Sequence, residues 1–173
     1  GTLRHEWANA RGAIARFDRG SIEIRVIDAQ ECPSADLAVV AAVVEVVRAL
    51  AVGPLSGRDL SRDPSTEALA GLLEATITDA ERAPVAVPGL TAALGLGSSV
   101  RTAGEAWQAL LDRFPPPDPE GEWTASLQMI LGDGPLARRL VAALGPEPGR
   151  GELAEVYGRL CGCLEENRTF DGR

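Results

Sequence analysis

The sequence predicts an α+β protein that is predominantly α-helical, with an N-terminal β-hairpin packed on a long helix and then a bundle of shorter helices. Three observations carry this expectation. Ile22, Ile24 and Val26 alternate with Glu23 and Arg25, the period of a strand with one apolar and one polar face. Residues 35–52 form a single Ala/Val/Leu run closed by Gly53-Pro54, longer than ordinary strands. Beyond residue 64, apolar residues recur at helical spacing between breaks rich in Pro and Gly.

The hairpin comes first. Ala13-Ile14-Ala15-Arg16-Phe17 reads as a short strand, and Asp18-Arg19-Gly20 connects it to the strand at residues 21–28, with Gly20 available for a positive φ. Burial of Ile22, Ile24 and Val26 would leave Glu23 and Arg25 together on the opposite face. Spacing alone does not fix the register, so whether Arg16 shares that face stays open. A solvated edge strand with a surface ion pair is one reading of these charges. The other is a phosphoanhydride site, because arginine forks bind phosphate oxygens in pairs and a carboxylate binds a hard divalent cation.

The long helix is expected over residues 35–52, with Pro33-Ser34 as its N-cap signal and Gly53-Pro54 as its stop. Leu37, Val40, Val44, Val47 and Ala51 form its stripe. Val39, Val43, Val46 and Leu50 widen the stripe until burial on several sides is expected, with the Ile22/Ile24/Val26 face as principal neighbour. A second helix fits residues 65–82, with Leu69, Leu72, Leu73 and Ile77 as its stripe. Pro84 and Pro88 bracket an extended Val85-Ala86-Val87, and residues 89–96 form a short helical turn. Residues 102–114 are the next full helix, carrying Trp107, Leu110 and Leu111.

Phe114-Pro115-Pro116-Pro117-Asp118-Pro119 interrupts any helix and reads as a stiff spacer; its acidic flanks favour a loop over a ligand for an SH3-type domain. Three helices close the chain at residues 122–131, 135–144 and 151–168, the last with Val156, Leu160, Cys163 and Leu164 as its stripe. Trp123, Met129 and Tyr157 are expected as core or staple residues.

Composition narrows the function classes. Of the residues, 45% are AVILMFWYC but only 4% are aromatic, so the core must be built from Ala, Leu and Val. Lys and Arg number 17 against 25 Asp and Glu, a net charge of −8 that argues against nucleic acid or an anionic membrane as partner. The longest apolar stretch, residues 37–44, is too short to span a bilayer. Cys32, Cys161 and Cys163 are too few for a disulfide framework, and Cys161 and Cys163 point to different faces of a helix, which argues against a metal pair. His5 is the sole histidine, so neither a Ser–His nor a Cys–His nucleophile is supported.

Residues 7–31, WANARGAIARFDRGSIEIRVIDAQE, and the CPSADLAVVAAVVEVVRAL that follows resemble the C-terminal part of the glutamate–cysteine ligase family 2 proteins, the carboxylate–amine ligases. That family is similar in turn to glutamine synthetase, whose catalytic strand has the form [IV]-E-[VI]-R, then x-x-D and a long helix. The tail at residues 153–170, LAEVYGRLCGCLEENRTF, also resembles the end of the family. The resemblance implies ATP cleavage coupled to amide or γ-glutamyl bond formation through an acyl-phosphate, with Mg2+ or Mn2+ bridging nucleotide and substrate, in a cytoplasmic protein. Glu23 matches the metal-binding glutamate, and Arg25 the catalytic arginine that neutralises the transferring phosphoryl group. Arg16 matches an arginine at the nucleotide phosphates, and Arg11, in the N-x-R segment, one near the substrate carboxylate or phosphate. Positioning and electrostatic stabilisation are most of what phosphoryl transfer asks of a protein. The substrates implied are small amino acids; cysteine and glutathione biosynthesis come only from the family name.

The strongest motif lies close to Gly1, whereas the family's other metal-binding glutamates, its nucleotide pocket and most of its sheet precede that motif. The chain is therefore expected to be the C-terminal part of a longer protein, inactive alone and requiring the missing N-terminal part as partner. Residues 1–54 would end the ligase domain, and residues 55–173 would form a C-terminal helical region. A bare hairpin edge leaves self-pairing into a homo-oligomer open. Two other classes stand beside the ligase: a non-catalytic helical interaction module, and a hydrolase using Asp28, Glu31 and Asp36 as metal ligands. Acids at a helix N-terminus also stabilise the macrodipole without any metal.

Overall fold

The computed structural model describes residues 12–56, 64–87, 89–118 and 121–172. Asn9 and Arg11, and with them the nucleotide or substrate contact expected of Arg11, lie outside the described residues, as does His5. Strands β1 (Ala13–Arg16) and β2 (Ser21–Ile24) precede α1 (Pro33–Ala51) and α2 (Thr66–Asp79). A 3-10 turn at Ala80–Arg82 leads to α3 (Leu90–Ala93), α4 (Ala103–Arg113), α5 (Glu122–Asp133), α6 (Leu136–Leu144) and α7 (Arg150–Glu165). This is the α-rich α+β architecture that the residue pattern predicts.

The strands pair antiparallel, with Ala13 opposite Ile24, Ile14 opposite Glu23, Ala15 opposite Ile22 and Arg16 opposite Ser21. The Arg25 N–H donates to the Gly12 carbonyl at 3.0 Å and extends the ladder by one step. The Arg19 N–H donates to the Arg16 carbonyl at 3.0 Å, and Gly20 re-enters the ladder at φ 59°, where a Cβ would be strained. Beyond Ile24 the chain runs as coil to residue 30, so β2 is shorter than the alternation through Asp28 suggested.

The face of α1 that is buried differs from the expected one. Its buried residues are Ser34, Ala35, Ala38, Ala42, Val46 and Ala49. Leu37, Val40, Val44 and Val47 are 53%, 52%, 45% and 39% exposed. The cause is α5, which packs closely along α1. Ala38 and Ala42 meet Leu111 and Leu127 there, with Trp123 and Leu131 packed around them. Small residues let two helix axes approach, so the alanine row becomes the contact and the bulkier aliphatic row is left outside.

Local chemistry accounts for most of the other boundaries. The Ala68 N–H donates to the Ser65 hydroxyl at 3.2 Å, capping α2, whose own side chains include none that is fully buried. Thr102 and Glu105 form a reciprocal capping box on α4. Residues 115–118 run into Asp118, whose carboxylate accepts from the N–H groups of Gly121 at 3.0 Å and Thr124 at 2.6 Å and so starts α5. A second core joins Val156, Cys163 and Phe170 to Leu136, Leu140 and Leu160, between α6, α7 and the C-terminal tail. Leu164 and Tyr157, expected inside, are 58% and 55% exposed.

Candidate functional site

Arg16, Glu23 and Arg25 meet on one face of the hairpin. The register does this: Ile14 and Glu23 are cross-strand partners, as are Arg16 and Ser21, so these residues and Arg25 alternate onto the same side. Arg25 Nε donates to Glu23 Oε1 at 2.9 Å, and Arg16 Nη1 donates to Glu23 Oε2 at 3.1 Å. Arg16 Nε also reaches Asp18 Oδ1 at 3.4 Å. The hydrogen bond from Arg25, seconded by Arg16, holds the Glu23 carboxyl below the usual glutamate range. Asp18 and then Glu23 raise the Arg16 guanidinium.

Exposure on the two faces is the reverse of the expected pattern. The side chains of Arg25 and Arg16 are only 20% and 30% exposed, whereas Ile22 is 66% and Ile24 41% exposed. The apolar face looks toward α1 across open space. A cavity of about 530 Å³ is lined by Ile24, Val26, Val43, Val47, Trp107 and Ile130 among others. A second groove runs between Phe17, Ile22 and Ile24 on the hairpin and Val43, Val44 and Val47 on α1.

A second constellation went unread in the sequence. Glu31 and Arg139 are 5% and 2% exposed. Arg139 Nη1 donates to Glu31 Oε1 at 2.6 Å and also to the Phe170 carbonyl, while its Nε donates to the Gly134 carbonyl at 3.1 Å. The Phe170 N–H donates to Glu31 Oε1 at 3.0 Å. Burial pushes the Glu31 carboxyl up, but Arg139 and the backbone donors outweigh it and the net direction is down. Close by, Asn167 Oδ1 accepts from the Ser34 N–H at 2.9 Å and its Nδ2 donates to Ser34 Oγ at 2.7 Å. A partner 108 residues away from Glu31 leaves no local spacing to read. The one available signal was an arginine, Arg139, on the apolar side of a short helix.

These contacts separate the acidic residues considered for a hydrolase. Glu31 is committed to Arg139, Asp36 Oδ1 accepts from the Gln30 N–H at 2.9 Å, and Asp28 is exposed. Among the described residues no group of three His, Cys, Asp or Glu side chains could hold a metal ion. Cys161 is exposed and Cys163 buried, on opposite sides of α7, and burial raises the thiols of Cys32 and Cys163.

Fold and site together define a predominantly helical α+β protein that displays an Arg–Glu–Arg face on a two-stranded hairpin. Compared with known proteins, the chain matches no family model and no solved structure. It is similar to an uncharacterized protein of Archaeoglobus fulgidus, 27% identical over 168 residues, which are 97% of this chain and 38% of that protein. The chain thus spans well under half of that relative's length. No helix among the described residues is long and apolar enough to cross a membrane.

Proposed function

We propose that this chain is the C-terminal part of an ATP-dependent carboxylate–amine ligase, contributing one wall of a phosphoryl-transfer site and inactive alone. The observation that carries the reading is the convergence of Arg16, Glu23 and Arg25 on one hairpin face. Two guanidinium forks suit the oxygens of a nucleotide polyphosphate. Mg2+ is commonly held by one or two carboxylates together with substrate phosphates, and Glu23 supplies one such carboxylate. The donor set therefore fits Mg2+ with ATP, the remaining ligands coming from phosphates, water and other parts of the longer protein. The metal, when bound, would offset charge on the phosphate oxygens.

The residues of this chain have distinct tasks. In their absence of substrate, Arg16 and Arg25 neutralise Glu23 and hold its carboxylate ionised. Arg25 would hold the transferring group and Arg16 the nucleotide phosphates, and Glu23 would be the carboxylate available to the cation. The substrates are small amino acids, and the setting is cytoplasmic, where three free cysteines stay reduced.

The test is ADP release from Mg-ATP with glutamate and a panel of amines including cysteine. It is run on this chain and on the longer protein, each with and without Glu23→Ala. Turnover by the longer protein, lost by a factor of about 10²–10³ in the variant, is the expected result. Turnover that ignores the substitution removes the ligase reading. The exposed row Leu37, Val40, Val44 and Val47 favours a second reading, a helical interaction module. In that case Glu23→Ala is silent, and Val44→Glu abolishes binding to a partner.

A further inference from the structure

We propose that the C-terminal tail, residues 166–172, is a strap that positions the hairpin, so that the Arg16–Glu23–Arg25 face is held in place from the far end of the chain. The geometry begins with what the hairpin lacks. Among the described residues neither strand packs extensively on a helix, and the 530 Å³ cavity separates Ile24 and the coil at Val26 and Ile27 from α1, α4 and α5. The base of the hairpin approaches α2, where a Cβ on Gly12 would lie 3.3 Å from Val26 and 3.6 Å from Leu73. Among the described residues it is also tethered by the coil of residues 25–30, which ends at Glu31.

Glu31 is where the strap closes. The tail presents the Phe170 N–H to Glu31 and the Phe170 carbonyl to Arg139, so carboxylate, guanidinium and the backbone of one tail residue form a single buried cluster. The Phe170 ring, 1% exposed, packs on Val156 and Cys163 under the Arg159 guanidinium, 4.7 Å from the ring centroid. Asn167 adopts φ 50°, which turns the chain out of α7 and aims its amide at Ser34. That amide caps the first turn of α1, whose own N-cap residue Cys32 supplies no side-chain cap. The tail therefore fixes Glu31 and Ser34, the helix end of the coil through which the hairpin joins α1. Removing it takes the Phe170 N–H from Glu31, the Phe170 carbonyl from Arg139 and the Asn167 amide from Ser34.

Arg139, Asn167 and Phe170 are thus positioning residues, acting on the charged face through Glu31 and the coil. The ligase reading supplies only the identity of that face as the working surface. The measurement contains no nucleotide, so failure of the strap and failure of the ligase are distinguishable.

The experiment is a spin-label distance measurement on the full chain with Cys161→Ser, labelled at Arg19→Cys on the hairpin turn and Gln128→Cys on α5. A second pair, Gln108→Cys and Gln128→Cys, reports α4 against α5. The expected result is one narrow hairpin-to-α5 distribution in the parent, broadened in a chain ending at Glu166, with the α4–α5 distance unchanged. Asn167→Gly, which removes the side-chain cap on α1 and tolerates the φ of 50°, gives a smaller broadening and serves if the shortened chain does not fold. A hairpin distribution that is broad in the parent, or narrow in every folded variant, overturns the proposal. Broadening of both pairs together overturns it as well, since that is general loosening rather than release of the hairpin.

Discussion

Ala80 shows how the surroundings can hold a residue in a conformation that its own side chain disfavours. It ends α2 at φ 50° and ψ −121°, a region that non-glycine residues rarely occupy. The neighbours on its C-terminal side leave little choice. Glu81 is gripped by Arg138, whose Nε donates to Glu81 Oε1 at 3.0 Å, and Ala83 is fully buried. A Cβ on Gly104 would lie 3.2 Å from the Glu81 carbonyl oxygen, so α4 closes against this turn through a glycine. Strain of this kind costs about 1–3 kcal/mol. Glycine would relieve it while adding about 0.5–1 kcal/mol of conformational entropy to the unfolded chain. Ala80→Gly should therefore stabilise the protein by about 1 kcal/mol, read as a higher urea midpoint with an unchanged slope. A lower midpoint would mean that this backbone conformation is unstrained.

Helix α1 carries the corresponding lesson at the scale of an element. Its alanine face packs on α5 and its larger aliphatic face is exposed, so the two rows should respond oppositely to substitution. Ala42→Leu inserts bulk where Leu111 and Leu127 already close the gap, and should cost about 1–3 kcal/mol. Val44→Ser, on the exposed row, should stay within about 0.5 kcal/mol of the parent. Equal losses at both positions in thermal or urea unfolding would show that α1 buries the valine row instead. The existence and type of the elements were legible because Gly, Pro and capping residues punctuate the chain. Ser65 and the Thr102/Glu105 box sit at the observed starts of α2 and α4. The buried face of α1 was not legible, because hydropathy ranks valine above alanine while close helix packing selects alanine. The convergence of Arg16 with Glu23 and Arg25 needed the register, which no residue in the turn sets by itself. The Arg139 clasp needed the tertiary fold, since its parts lie on three separate segments.

For the whole molecule, the Glu31–Arg139 pair ties the hairpin coil, α6 and the tail into one cooperative unit, and this makes its stability depend on pH with a definite sign. The Glu31 carboxyl is lower in the folded chain than its ordinary value because Arg139 and the Phe170 N–H outweigh the burial that pushes it up. An acid with a depressed folded value contributes its full stabilisation above the unfolded carboxylate range. Below that range the unfolded chain takes up the proton first, so the contribution declines as pH falls and is gone once the folded carboxyl is protonated too. Glu31→Gln keeps the shape but leaves Arg139 charged, buried and without its counter-ion, a loss of about 3–5 kcal/mol at neutral pH. In acid the parent also presents a neutral side chain to Arg139. The gap between parent and variant should therefore be widest near neutrality and should narrow as pH falls below the ordinary glutamate range. Urea unfolding of both proteins between pH 7 and strongly acid solution measures it. A gap that stays constant across that range would show that the Glu31 carboxylate charge contributes nothing to holding the three segments together.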